Sequence, residues 1–134
     1  MIETIQDLKR CDVNSDLEDS VIEILTEQCE GMDEDEISDF ISDIMQYGCE
    51  SGMISDLVYY SDTCQFYHKH KKEIHKLVAE YMNEFGYKSF ACMFADKWDS
   101  EDMFAEDELN QNLLAWFAFE EITRKLANVN RINY

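Results

Sequence analysis

The chain has 134 residues, 30 of them acidic and 11 basic, giving a net charge of −19. A field of that size repels nucleic acid and anionic membranes and attracts surfaces built to hold polyanions, which excludes direct DNA or RNA binding first. The length fits one domain whose core needs neither disulfides nor a structural metal. The 46% hydrophobic content, with eight Phe, seven Tyr and two Trp, is too apolar for an acidic disordered tail.

Proline is absent, and glycines at 31, 48, 52 and 86 divide the chain into helix-length pieces. The first strong pattern opens at Ser15, which has capping-box spacing to Glu18. Leu17, Val21, Ile24 and Leu25 then recur at helical intervals, and Gly31 is the stop. The next segment, DEDEISDFISDIMQY, places Ile37, Phe40, Ile41, Ile44 and Met45 on one face, with Gly48 as its end. A short element is expected over residues 53–60. A longer helix follows over 62–85, with an inner stripe of Phe66, His70, Ile74, Leu77, Val78, Tyr81 and Phe85, closed by Gly86. A shorter helix is expected near 90–95, then a loop, then a last helix over about 106–126. Its apolar positions are Leu109, Leu113, Trp116, Phe117, Ile122 and Leu126. Short alternating pairs near 54–60 and 87–90 leave room for a small hairpin, but the helical pattern is stronger. The sequence therefore predicts an all-α fold: a compact single-domain bundle of five to six helices over residues 1–134, with a strongly acidic N-terminal half.

The charge is unevenly placed. Residues 1–62 hold 18 Asp and Glu against Lys9 and Arg10, whereas residues 63–90 carry five lysines against three glutamates. Carboxylates three and four positions apart on a helix stand about one turn apart on one face. Asp33, Glu36, Asp39 and Asp43 form one such series, and Asp16, Asp19, Glu23, Glu27 and Glu30 form a second. Their spacing approaches that of phosphates along a nucleic-acid strand. Read functionally, these rows imitate a polyanion and dock on a basic nucleic-acid-binding protein; read blandly, they are a solvated face that maintains solubility. Tyr59, Tyr60 and Tyr67 could add an aromatic contact area, or fill the core with their hydroxyls at its edge.

All three histidines lie in one stretch, FYHKHKKEIHK. On a single helix, Cys64 and His68 make an i,i+4 pair of the kind that binds zinc, with Cys49 or a carboxylate needed to complete the set. His75 is about 10.5 Å from His68 along such a helix, too far to share the ion. The bland alternative is a set of surface histidines beside lysines, and neither HExxH nor CxxC sharpens the metal reading. Lys69, Lys72 and Lys76, with Glu73 among them, form a basic strip that could hold the acidic half of a second copy and so make a homodimer. Five scattered cysteines without a paired spacing predict reduced thiols. The N-terminal MIETIQDLKRCD has no apolar run of signal-peptide length, and no stretch approaches about 18 apolar residues, which predicts a cytoplasmic protein with no membrane span. No phosphate-binding glycine loop or spaced nucleophile–base set is present, so the expectation is a non-enzyme.

The stretch with Gly48-Cys49, Ser51-Gly52, the run Tyr59 to Thr63, Phe66-Tyr67, and His70 followed by Glu73-Ile74 resembles a family of uncharacterised small acidic proteins of bacterial phages and mobile elements. The similarity covers about 27 of the 134 residues and brings no activity to carry over by position. It implies a setting in which small acidic phage proteins antagonise host restriction or CRISPR machinery, some by resembling nucleic acid. The expected function is an anti-CRISPR-type or restriction inhibitor acting as a nucleic-acid mimic, in the host cytoplasm. The alternatives are a non-catalytic dimeric adaptor or structural protein, and a small zinc-binding protein.

Overall fold

The structure, a computed structural model, describes residues 2–11, 15–47, 63–94, 102, 104 and 107–132, without the side chains at 47, 63, 64 and 129–132. Every element among them is an α-helix, which bears out the all-α class, and there are seven rather than five or six. They are α1 (Ile5–Arg10), α2 (Asp16–Gln28), α3 (Glu34–Tyr47), α4 (Thr63–Lys69), α5 (Lys71–Phe85), α6 (Tyr87–Cys92) and α7 (Glu108–Ile132). The element expected over 53–60 and the stop at Gly48 lie outside the described residues. No described helix is long and apolar enough to cross a membrane.

The chain divides into two compact units. One comprises residues 1–51 and 119–134, and the other residues 52–118. In the first, α1 is a helix the hydrophobic pattern does not announce. A capping box makes it: the Thr4 hydroxyl accepts from the Asp7 N–H, and Asp7 Oδ2 accepts from the Glu3 and Thr4 N–H groups at 3.0 and 3.1 Å. Burial opposes ionisation of Asp7, but these donors, with Arg10, outweigh it and lower its pKa. Ser15 caps α2 as expected, accepting from the Glu18 N–H at 3.2 Å. Asp33 caps α3, accepting from the Glu36 N–H at 2.9 Å. The core of this unit is mainly aliphatic: Ile2, Leu8, Leu17, Val21, Leu25, Ile37, Ile41, Ile44, Ile122 and Leu126 are buried, with Phe40 and Phe119 among them. Gly31, at φ 82°, turns the chain between α2 and α3 in the left-handed region that glycine enters without penalty.

In the second unit, the helix predicted over 62–85 is two helices. The joint is His70, whose backbone leaves the helical region at φ −116° and ψ 20°. The Ile74 N–H still donates to the His70 carbonyl at 2.9 Å and the His70 N–H to the Phe66 carbonyl at 3.2 Å, so the apolar rhythm runs through the joint unbroken. The core here is aromatic. The Phe117 ring of α7 meets Tyr81 of α5 at 5.2 Å and Phe90 of α6 at 5.2 Å, Phe90 meets Phe94 at 5.1 Å, and Phe94 lies 6.4 Å from Trp116. Phe85, placed by periodicity in the inner stripe, is instead 53% exposed and lies against Tyr81 at the end of α5.

Helix α7 follows the Asp107 cap, whose Oδ1 accepts from the Asn110 N–H at 2.8 Å; it starts two residues later than predicted and runs six residues further. Residues 112–120 are buried without interruption, so its face is not a stripe. Its buried Thr123 hydroxyl satisfies itself by donating to the Phe119 carbonyl at 2.8 Å. Leu109, predicted inward, is 40% exposed.

Candidate functional site

The acidic residues singled out by spacing stand outside. Asp16, Asp19, Glu23, Glu27, Glu30, Asp33, Glu36, Asp39 and Asp43 are all exposed. At roughly 100° per residue, Asp16, Asp19, Glu23 and Glu27 fall within an arc of about 80° on α2, opposite buried Leu17, Val21 and Leu25. Glu36, Asp39 and Asp43 share an arc of about 60° on α3. Glu30 and Asp33 differ from their predicted places in the rows. Glu30 lies in the turn after α2, and Asp33 is the cap that precedes α3. None of the nine forms an ion pair with a described residue, and no Lys or Arg occurs in the sequence between Arg10 and Lys69.

Glu18 is the exception on α2. It sits with Val21 and Leu25 on the inner face, 4% exposed, and forms a close ion pair with Lys125 of α7. The neighbouring Arg124 reaches Glu120 at 2.6 Å and Glu121 at 3.3 Å on its own helix. It also donates to the Met45 carbonyl in the last turn of α3 at 3.2 Å. Sequence reasoning assigned Glu18 only to a capping box. The signal that it does more was its place three and seven residues before Val21 and Leu25, where an outward carboxylate is not expected.

Of the three tyrosines, the described residues include only Tyr67. Tyr67 is fully buried, so the core alternative holds for it, while Tyr59 and Tyr60 lie outside the described residues. The Tyr67 hydroxyl lies 2.7 Å from His75 Nε2, and the His75 ring stacks at 4.4 Å on Phe104. Burial, then the Lys71 ammonium, pushes the His75 pKa below its ordinary value, which favours the neutral ring. Burial raises the Tyr67 pKa. We therefore assign Tyr67 as the donor and Nε2 as the acceptor.

Of the zinc candidates, only the His68 side chain is among the described residues. His68 is exposed, Cys49 lies outside the described residues, and the Cys64 side chain is among those not described. Among the described residues no group of three His, Cys, Asp or Glu could hold a metal ion. Of the basic strip, Lys69, Lys72 and Lys76 are exposed as expected, and Glu73 stands 3.8 Å from His70 Nδ1.

With this geometry in place, residues 4–132 match a domain of unknown function, DUF7222. The chain belongs to the DUF7222 family. The DUF7222 match spans all seven helices, so the acidic faces of α2 and α3 and the Glu18–Lys125 pair all fall within the family's domain. No curated protein and no solved structure matches the chain.

Proposed function

We propose that this protein is a non-catalytic inhibitor that docks, through the carboxylates of α2 and α3, in the cationic nucleic-acid channel of a host defence protein such as a CRISPR effector or restriction enzyme. The observation that carries the reading is the exposure of all nine acidic residues with no ion-pair partner among the described residues. No Lys or Arg lies between Arg10 and Lys69 in the sequence, so the rows have no neighbouring cation along the chain to neutralise them.

Charge density sets how the imitation would work. Asp16, Asp19, Glu23 and Glu27 span about 16 Å of helix, or one charge per about 5.5 Å. One strand of duplex DNA carries a phosphate per about 3.4 Å of axis. A single helix is therefore a dilute copy of a strand, and the reading needs the carboxylates of both helices. Association would be fast and strongly dependent on salt, because long-range attraction guides the encounter. The phage setting rests on the resemblance around residues 48–74, and the cytoplasmic setting on the partner it implies. The homodimer through Lys69, Lys72 and Lys76 is the weaker reading, since two copies at −19 each repel strongly before three lysines can act.

Affinity capture from host lysate at about 50 and 500 mM salt tests this. The expected result is a nucleic-acid-binding protein retained only at low salt, and lost to the triple variant Glu36→Lys, Asp39→Lys, Asp43→Lys at unchanged helicity. Retention that survives high salt, or survives the charge reversal, removes the reading.

A further inference from the structure

Helices α2 and α3 contain only negative charges, so whatever cation holds them must come from elsewhere in the chain. Two adjacent residues of α7 supply it. Successive side chains on a helix diverge by roughly 100°, which lets neighbours reach different elements. Lys125 reaches the buried carboxylate of Glu18 on α2. Arg124 reaches the Met45 carbonyl, one of the last-turn acceptors of α3 that no intrahelical N–H can satisfy. Neither α2 nor α3 has a basic residue in its own last turn. Arg124 thus places its charge where the α3 dipole is negative, and Glu120 and Glu121 hold its guanidinium in position.

We infer that Arg124 and Lys125 are positioning residues, a two-cation clamp in which each residue ties one acid-bearing helix to α7 and so fixes α2 and α3 against the mutual repulsion of their carboxylates. Apolar packing drives both helices against the core, but it is tolerant of sliding and rotation. An ion pair with one buried partner and a helix-end hydrogen bond are less so, because each favours one geometry. The purpose of the clamp rests on the docking reading given above. Its existence does not, and the test needs no partner.

The test is amide hydrogen exchange on the free, full-length protein at low ionic strength. Lys125→Gln should speed exchange in α2 by about tenfold while α3 changes little, and Arg124→Gln should do the reverse. Lys125→Arg keeps the charge and should leave α2 as it was. Exchanging the partners, in Glu18→Lys with Lys125→Glu, should return α2 toward wild-type protection. Arg124→Lys keeps the charge but gives up the planar fork, so α3 should loosen part-way. Equal acceleration of both helices in each variant, or no change in either, overturns the clamp. Should exchange behave as expected while lysate capture fails, the clamp stands and the docking reading falls.

Discussion

The two units meet the same problem, burying a core under an acidic surface, with different materials. The unit of residues 1–51 and 119–134 carries 18 acidic and 5 basic residues, net −13. The unit of residues 52–118 carries 12 and 6, net −6. The heavily charged unit uses an aliphatic core and adds Glu18–Lys125 and Arg124 with its glutamates and the Met45 carbonyl. The lightly charged unit relies on rings, with Tyr81, Phe90, Phe94, Trp116 and Phe117 in contact. Where like charges push outward, directional polar contacts fix the helices. Where the charge is lighter, ring contacts make up more of the packing.

The hardest way to break this contrast is to remove a ring. Phe117 touches both Tyr81 and Phe90, so Phe117→Ala should destabilise by about 4 kcal/mol, against about 3 kcal/mol for Leu25→Ala in the other unit. Urea unfolding followed by circular dichroism measures both. A larger loss at Leu25 would reverse the ranking and with it the claim that the rings carry the second unit.

Salt sharpens the comparison. Lys125→Met should cost about 2 kcal/mol: the lysine side chain is half exposed and the Glu18 side chain buried, which places the pair between a surface bridge and a fully buried one. That cost should shrink in molar salt, while the cost of Phe117→Ala should not. A salt-independent loss at Lys125 would mean that the stem of the side chain, and not its charge, supports α2.

Much of this fold was legible. The stripes of α2 and α3 named Leu17, Val21, Leu25, Ile37, Phe40, Ile41 and Ile44, which are buried, and Ile24 and Met45, which are only half-buried. The two glycines at positive φ, Gly31 and Gly86, were both read as stops. The break at His70 was not, because the residue has neither the ring of proline nor the freedom of glycine, and the hydrophobic period passes straight through it. Helix α7 was only half legible: with residues 112–120 buried on every side, the predicted apolar positions did not include buried Asn112, Glu120 and Thr123. For the candidate site, spacing along one helix identified the acidic faces. It could not reveal Lys125 against Glu18, since 107 residues separate them and only tertiary packing brings them together.

The glycines offer a smaller test across the two units. A Cβ at either would meet nothing within 4 Å, so any penalty is backbone strain alone. Gly86 combines φ 87° with ψ 163°, a region closed to other residues, and Gly86→Ala should cost about 2 kcal/mol. Gly31→Ala, at φ 82°, should cost about 1 kcal/mol. Thermal melts rank the two, and equal shifts would mean that the α5–α6 joint relaxes to accommodate a side chain.

The smallest expected effect lies in a polar bond of the aromatic unit, Tyr67 to His75. Tyr67→Phe should cost about 1 kcal/mol at pH 8, because water can in part replace the hydroxyl at the half-buried imidazole. The pH dependence has a definite sign. The folded His75 pKa is depressed, so below its ordinary 6.5 the unfolded chain binds the proton more readily than the folded one. The stabilisation of the neutral ring is complete above that pH and is lost as pH falls through the folded value. Protonation also takes the Nε2 lone pair that accepts from Tyr67, so the tyrosine loses its acceptor in the wild type too. The gap between wild type and Tyr67→Phe should therefore narrow from pH 8 to about pH 5, read from urea midpoints at each pH. A gap that stays constant would show that Tyr67 does not donate to a neutral His75, and the assigned direction of the bond would have to be reversed.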